Sequence, residues 1–247
     1  HRDLHSFPTR RSSDLMLADL DSLEKRIVPL EKKAKSGDKE AKEQVSVMER
    51  CLNLLRDGKP ARLAERSNEE ERTFQMLNLL TAKPVLYVCN VEESAAHDGN
   101  GFSAKVFERA KSEGARAVVV SAQIESEIAV MDAADQKDYL EAVGLEEPGL
   151  NRVIRAGYEL LELLTYFTVG PKEARAWTIT KGTRAPQAAG VIHTDFEKGF
   201  IRAETIAYSD YVTNKGEAGA REAGKFRLEG KEYVVKDGDV LHFKFNV

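Results

Sequence analysis

Two short runs of continuous apolar residues lie one helix apart in the middle of the chain, and they restrict its fold more than any other feature. Val85–Cys89 and Ala117–Val120 show no alternation of polar and apolar residues, which is typical of strands buried on both faces of a sheet. The segment between them predicts a helix over Phe102–Glu113. A strand–helix–strand unit of this length favours parallel pairing, so we predict an α/β fold here.

Apolar residues recur at spacings of three and four on both sides of Gly37, which is a heptad pattern. The two sets are Leu20, Leu23, Ile27, Leu30 and Ala34, then Ala41, Val45, Met48, Cys51 or Leu52, and Leu55. Gly37 suits a left-handed turn, and Asp38 suits the N-cap of a second helix. We therefore predict an antiparallel helical coiled-coil hairpin over residues 16–66, with a kink at Pro29.

The first fifteen residues do not share this regularity. They contain no apolar stretch long enough for a secretory signal, which needs about 7–15 residues. We expect residues 1–15 to be disordered, or to be a leader that is foreign to a truncated protein.

Further helices follow the hairpin, and the sequence pattern then changes to short alternating runs. Ser67 and Glu70 have the spacing of a capping box, which predicts a helix through Leu80. Later helices are predicted near Gln123–Met131, Ala134–Val143 and Gly149–Leu164. From Thr165 onward, short alternating runs predict strands at Ala174–Ile179, Phe200–Ile206, Lys231–Val235 and Asp239–Phe245. We predict an α/β region over 67–164 and a small α+β domain over 165–247, with one or two short helices.

Composition excludes several classes of protein. The 247 residues carry 37 Lys and Arg against 41 Asp and Glu, so any contact with RNA has to come from a local basic patch. Two cysteines rule out a disulfide scaffold and suggest a reducing compartment. No apolar run reaches the roughly 18 residues of a membrane helix. We expect a cytoplasmic protein.

Polar residues at the ends of the two buried strands predict a nucleotide-base site. In α/β folds, ligands bind beyond the carboxyl ends of strands, where Asn90, Val91 and Glu93 follow the first strand. GTPases place Asn-Lys-x-Asp here, and the longer Glu93 weakens the selection of guanine in favour of adenine. Ser121 and Ala122 follow the second strand, where GTPases have Ser-Ala-Lys. An Asn at a strand end can also be a simple turn former.

The phosphate end of such a site is missing from the sequence. No G-x-x-x-x-G-K-[ST] motif occurs, and the loops that bind Mg²⁺ cannot be identified. His193, Asp195 and His242 fall short of a metal site in number and spacing, and we expect Thr194 or Asp195 to be the N-cap of a short helix. We assign no catalytic residue and no metal ligand, and we expect the chain alone not to hydrolyse ATP.

From Met16 to Val247 the chain resembles the C-terminal portion of an Obg-like ATPase of the YchF family. The segments that carry the resemblance are Lys83–Glu93, Gly144–Tyr158, Thr165–Ile179, Ala185–Ile206 and Lys236–Val247. The resemblance implies a P-loop NTPase domain interrupted by the hairpin, followed by a TGS domain of β-grasp type. It also implies preference for ATP over GTP, use of Mg²⁺ bound in the missing region, and association with the ribosome. Asn90, Val91, Glu93, Ser121 and Ala122 match the family's base-recognition motifs.

An alternative from another class stays open. The chain can be a nucleotide-independent adaptor that binds ribosomal RNA through the hairpin and the TGS domain. Lys181, Arg184, Lys198 and Arg202 are candidates for a local basic face. The redox sensitivity that the resemblance implies belongs to a cysteine of the missing region and does not transfer to Cys51 or Cys89. Cys89 lies in a predicted buried strand and is interpreted as a structural thiol.

Overall fold

The computed structural model describes residues 7–246, with side chains from residue 13 onward. The chain divides into two compact units, one up to Val153 and one from Ile154. Each unit is described by itself.

The predicted helical hairpin is present. Helix α1 spans Phe7–Lys35 and α2 spans Lys39–Arg56. Gly37 takes a left-handed φ of 100° in the turn between them, and the Asp38 carboxylate caps α2 by accepting from the Ala41 N–H at 3.1 Å. Helix α1 continues through Pro29. Helix α1 begins at Phe7, so residues 7–15 are helical in the structure and residues 1–6 lie outside the described part. That the segment is a foreign leader stays a prediction.

The apolar seams of the hairpin form one core with the segment that follows it. Leu23, Met48 and Cys51 are fully buried, and Phe74 and Leu77 pack against them. Phe74 lies on α3, Glu71–Met76, which is shorter than the predicted helix. The Ser67–Glu70 capping box is confirmed, with both reciprocal bonds formed, at 2.9 and 3.3 Å.

A buried carboxylate ties the first helix to the chain beyond α3. Asp19 is 3% exposed and accepts hydrogen bonds from the backbone N–H groups of Leu80 and Thr81 and from the Thr81 hydroxyl, at 2.7–2.8 Å. These three donors offset the free-energy cost of burying the Asp19 carboxylate, which would be high if the group had no hydrogen-bond partner. Asp19 therefore fixes the base of the hairpin beside the strand that starts a few residues later.

The strand–helix–strand unit is confirmed as parallel. Strand β1 spans Leu86–Asn90, α4 spans Gly101–Ser112 and β2 spans Arg116–Val120. The register pairs Leu86 with Arg116 and Asn90 with Val120. Within the described residues this sheet has two strands, and Val88 is 50% exposed. Our prediction that β1 is buried on both faces is therefore wrong, because one face of the pair is open.

Three helices complete this part of the chain: α5 spans Ala122–Ile128, α6 spans Ala133–Ala142 and α7 spans Gly149–Leu160. The side chains of Ile124, Ile128 and Leu140 share a small core. The prediction of α7 is correct at its start and wrong at its end, because the chain is already extended from residue 163.

The second unit contains a mixed sheet. Its strands are β3, Leu163–Val169; β4, Ala174–Thr180; β5, Phe200–Ala207; β6, Arg227–Glu229; and β7, Asp239–Phe245. Their order across the sheet is β4-β3-β7-β5-β6, and β3 pairs with β7 in parallel while the other pairs are antiparallel. The short helices are α8, Ala185–Ile192; α9, Thr194–Lys198; α10, Tyr208–Thr213; and α11, Glu217–Glu222.

Three sequence predictions for this unit need correction. The sequence pattern does not predict strands β3 and β6, and the predicted strand at Lys231–Val235 contributes only an isolated bridge between Val234 and Arg184. More short helices form here than the one or two expected. The core lies on one face of the sheet, where α8 covers Tyr166, Leu241 and Phe243. The Tyr166 hydroxyl donates to the Ala188 carbonyl at 2.8 Å, which anchors this helix.

Among the residues that the structure describes, no helix combines the length and the apolar character needed to cross a membrane.

Candidate nucleotide-base site

The two sequence motifs at the strand ends meet in the structure. Asn90 is the last residue of β1, and its backbone pairs with Val120, the last residue of β2. The Asn90 Oδ1 accepts a hydrogen bond from the Ala122 N–H at 2.9 Å. The parallel register thus brings Asn90, Ser121 and Ala122 to one edge of the sheet, as the sequence predicted.

This hydrogen bond determines what Asn90 can offer a ligand. Because Oδ1 accepts from the Ala122 N–H, the amide nitrogen is the group of the exposed Asn90 side chain for which the described residues provide no partner. An amide nitrogen is a donor only. The exposed side of Asn90 is therefore suited to a ligand acceptor such as the N7 atom of a purine.

Val91 and Glu93 continue from Asn90 with different surroundings. Val91 is 9% exposed, and its N–H donates to the Val120 carbonyl at 2.9 Å, so it is held in the sheet. Glu93 begins a short 3-10 turn, Glu93–Ala95, and is exposed. No hydrogen bond to the Glu93 carboxylate occurs among the described residues, whereas Glu92 accepts from the Asn100 amide at 3.0 Å. Glu93 is the acidic side chain left available for a ligand.

Ser121 is a buried polar residue with unused hydrogen-bonding capacity. It is 1% exposed, and its Oγ has no partner among the described residues. Buried hydroxyl groups nearly always find a partner, so this unsatisfied one is unusual, but it is enclosed and is not accessible to a ligand in this structure. The accessible groups of the site are the Asn90 amide nitrogen, a donor, and the Glu93 carboxylate, an acceptor, which are the two functions that a purine base would need.

One important residue of this region was missed by the sequence analysis. The Glu125 carboxylate accepts from the N–H groups of Gly149 and Leu150, at 2.6 and 3.1 Å, and so caps α7 from a neighbouring helix. A carboxylate at a helix N-terminus is stabilised by the unpaired N–H groups and by the helix dipole. The sequence did contain one signal: α7 begins after Pro148, and neither Pro148 nor Gly149 has a side chain that can cap a helix, so a cap from another element is needed.

Glu113 forms a second polar cluster behind the site. It is 7% exposed and receives the Arg62 guanidinium at 2.7 Å, the Arg109 guanidinium, and the Tyr87 hydroxyl at 2.9 Å. Burial, followed by the hydrogen bond to Glu113, raises the pKa of Tyr87. Because Arg62 belongs to the segment after the hairpin and Tyr87 to β1, this cluster joins the hairpin region to the strand that carries Asn90.

No residues suitable for Mg²⁺ are assembled in the described part of the chain. No group of three or more His, Cys, Asp or Glu side chains there is arranged to hold a metal ion. His193 instead caps α9, because its Nδ1 accepts from the Asp195 N–H at 3.2 Å. The expectation that Thr194 or Asp195 takes that capping position is therefore wrong.

Neither cysteine is in a reactive environment. Cys51 is fully buried, and desolvation raises its pKa to about 11. Cys89 on β1 is half-buried, and burial also raises its pKa. A raised pKa leaves little thiolate at neutral pH.

The four candidate basic residues of the second unit lie on different elements. Arg184 pairs with Glu232 at 2.8 Å, and Arg202 pairs with Glu204 at 3.6 Å. Lys181 and Lys198 are exposed. Their charge is therefore partly neutralised by neighbouring carboxylates, and a concentrated basic face remains a prediction.

The fold places the chain in a mixed α/β class, with a helical N-terminal part, a small parallel sheet and a C-terminal mixed sheet. The sequence profile "YchF-GTPase_C: Protein of unknown function (DUF933)" matches residues 163–246. The "Structure of the Schizosaccharomyces pombe YchF GTPase" is similar with a TM-score of 0.83 and 33% identity, covering 99% of this chain and 68% of that one. The chain belongs to the YchF family.

Curated relatives agree with this assignment. "Ribosome-binding ATPase YchF" of Pasteurella multocida is 55% identical over 236 residues, which cover 96% of this chain and 65% of that protein. The protein of the same name from Bacillus subtilis is 50% identical, with coverages of 95% and 64%. The chain thus spans just under two thirds of the length of the curated relatives that it matches.

Proposed function

We propose that this chain binds adenine nucleotides through Asn90, Val91, Glu93, Ser121 and Ala122, as the base-recognition part of a ribosome-associated ATPase. The observation that carries the proposal is the 2.9 Å hydrogen bond from Ala122 to Asn90, which joins the two motifs and orients the Asn90 amide. The names of the curated relatives, "Ribosome-binding ATPase YchF", support the nucleotide and the ribosome as ligands of the whole protein.

The residues divide the recognition of the base between them. The Asn90 nitrogen donates to N7, which both purines possess, so it selects a purine. The Glu93 carboxylate acts at the opposite edge, where guanine presents two donors and adenine presents a donor only at its 6-amino group. Ser121 contributes through its position between β2 and Ala122, since its hydroxyl is enclosed. In the whole protein ATP would carry Mg²⁺, but the described residues do not fit that ion, and we assign it no ligand here.

The domain organisation of the proposal follows the same family. We propose residues 16–66 as a coiled-coil hairpin, residues 67–164 as part of a P-loop NTPase domain, and residues 165–247 as a TGS domain of β-grasp type. The five-stranded mixed sheet with α8 across one face supports the last assignment.

The binding of the base is tested by changing one group of Asn90. Asn90→Asp keeps the oxygen that accepts from Ala122 and replaces the donor nitrogen by an acceptor. We expect ATP affinity, measured by calorimetry, to fall roughly tenfold or more, since a donor is replaced by a repelling lone pair. Asn53→Asp makes the same change of charge on the exposed surface of α2 and serves as the control. Equal affinity in all three proteins would refute the proposed site.

The same preparation separates nucleotide-dependent from nucleotide-independent ribosome binding. Cosedimentation with ribosomal subunits is measured with and without ATP, at low and high salt. A response to ATP that Asn90→Asp abolishes supports the proposal. Binding that ignores ATP, and falls steeply with salt, supports the adaptor alternative. Because the sequence has no phosphate-binding motif, we expect no ATP hydrolysis above background by this chain.

A further inference from the structure

Strand β4 presents an open edge of hydrogen-bonding groups. It is the terminal strand of the sheet. Two hydrogen bonds at its ends show which of its residues bond to β3: Gly170 N–H donates to Glu173 O at 2.8 Å, and Lys181 N–H donates to Glu162 O at 2.7 Å. Bonding alternates along an antiparallel pair. The odd-numbered residues of β4 therefore bond to β3, and the even-numbered residues direct their N–H and C=O groups outward.

The middle of this edge, residues 174–178, contains no proline, lysine or bulge. Ala174 and Ala176 have exposed, small side chains, and their outward backbone groups have no partner among the described residues. Natural edge strands are normally blocked by proline, lysine, a bulge or a covering element. Thr178 is partly engaged, since its hydroxyl lies 3.1 Å from the Tyr158 hydroxyl. The open length is therefore centred on Ala176.

An apolar groove with a volume of about 520 Å³ reaches β4 at Trp177 and is otherwise lined by residues of β3, the β3–β4 turn, α8, α9 and β7. Its floor includes Trp177 on β4, Phe196 on α9 and Phe245 on β7. The Trp177 indole donates to the Thr168 hydroxyl at 2.9 Å, and the rings of Phe196 and Phe245 stack with centroids 3.8 Å apart. These contacts hold the aromatic floor in place before any ligand arrives.

The charges around the edge favour an acidic occupant. Lys172, Arg175 and Lys181 lie along β4 and its flanks, against the two carboxylates of Glu173 and of Glu162, which lies across from Lys181. The Arg175 guanidinium lies 4.2 Å above the ring of Trp177, which lines the groove. A segment that binds along β4 and places side chains toward the groove would therefore lie close to the Arg175 guanidinium.

We propose that the edge of β4 and the adjoining groove form a docking site for an extended segment of a partner protein that alternates apolar and acidic residues. The outward backbone groups of Ala174 and Ala176 can be matched in register only by another extended polypeptide, as in β-strand addition. Alternate side chains of the added strand lie on the same face of the sheet as Trp177, next to the groove. The proposal is independent of the nucleotide site.

The experiment selects a random heptapeptide phage library against the full chain and against Ala176→Pro in parallel. Proline at this outward position removes the N–H offered to the partner without removing a hydrogen bond to β3, and edge strands tolerate it. Ala176→Thr keeps that N–H and is the matched control. We expect enriched peptides to alternate apolar and acidic residues, to bind wild type and Ala176→Thr alike, and to bind Ala176→Pro at least about tenfold more weakly.

Two readouts locate the binding. Trp177 is the only tryptophan of the chain, so its fluorescence reports directly on the groove. The amides of Ala174 and Ala176 are expected to gain protection from hydrogen exchange when a selected peptide is bound. Peptides that bind Ala176→Pro equally well, or no enrichment over that variant, would overturn the proposal. The proposal would also be overturned if single-stranded oligouridylate changed Trp177 fluorescence and competed with every selected peptide, because the site would then bind RNA.

Discussion

In the proposed base site, Glu93 is the residue that we expect to select between the purines, and removing one methylene tests this. We expect Glu93→Asp to bring the carboxylate back to the position that matches the two donors of guanine. The ratio of ATP to GTP affinity, measured by competition against a fluorescent adenine nucleotide, is then expected to fall about tenfold. Glu92→Asp is the control, because Glu92 is bonded to Asn100. An unchanged ratio in Glu93→Asp would place Glu93 outside the site.

Cys51 gives the hairpin core a dependence on alkaline pH. Its folded-state pKa of about 11 lies above the ordinary value of 9.0, because burial disfavours the thiolate. A raised pKa contributes its stability below pH 9, and that stability is lost as the pH rises from 9 through 11. Between pH 7 and pH 10 we expect wild type to lose about 1 kcal/mol more unfolding free energy than Cys51→Ala, measured by urea denaturation. Parallel pH profiles of the two proteins would contradict this.

Much of the candidate site was accessible to sequence analysis because it lies at strand ends. Asn90 and Ala122 follow apolar runs whose parallel pairing fixes their proximity. The burial of Ser121 and the role of Glu125 were not accessible, because both depend on how α5 and α7 approach β2. Contacts between elements distant in sequence leave no local pattern of residues.

At the scale of elements, two glycines of α7 provide a matched pair of substitutions. A Cβ on Gly149 would lie 2.9 Å from the Glu125 carboxylate and 3.1 Å from Val120, whereas a Cβ on Gly157 meets nothing within 4 Å. We expect Gly149→Ala to destabilise the protein by about 1–3 kcal/mol through overpacking. Gly157→Ala is expected to stabilise it by about 0.5–1 kcal/mol. Thermal unfolding of both variants measures the difference, and a stabilised Gly149→Ala would count against the Glu125 cap.

The errors in the predicted elements have physical causes. Leu163 and Leu164 continue the apolar pattern of α7, but Glu162 adopts a left-handed φ of 51°, which ends the helix and starts β3. The run Lys231–Val235 alternates like a strand, yet its first two residues form a turn and only Val234 pairs, in the isolated bridge with Arg184. Strand β6 has three residues, too few to show a period. The local residue pattern predicts helices and strands that bury one face. It does not predict the ends of elements that are determined by tertiary contacts.

At the scale of the whole molecule, the two sheets are expected to differ in stability. Strand β1 has a single partner in the described residues and an exposed Val88, whereas β7 lies inside its sheet and buries Leu241. Local opening requires less energy where fewer apolar contacts are lost. We expect the bonded amides of β1 to exchange roughly a hundredfold faster than those of β7, measured by hydrogen exchange with mass spectrometry. Uniform protection across both sheets would contradict this.

The Glu113 cluster has a consequence for the variation of this chain over evolutionary time. Arg62 and Tyr87 both donate to a carboxylate that is 7% exposed. Losing either donor leaves a buried charge under-solvated, and losing Glu113 leaves the largely buried guanidinium of Arg62 without its counter-charge. We therefore expect single replacements to be selected against, so that the three positions change together. Across an aligned set of homologues, they should co-vary more tightly than their sequence separation would suggest.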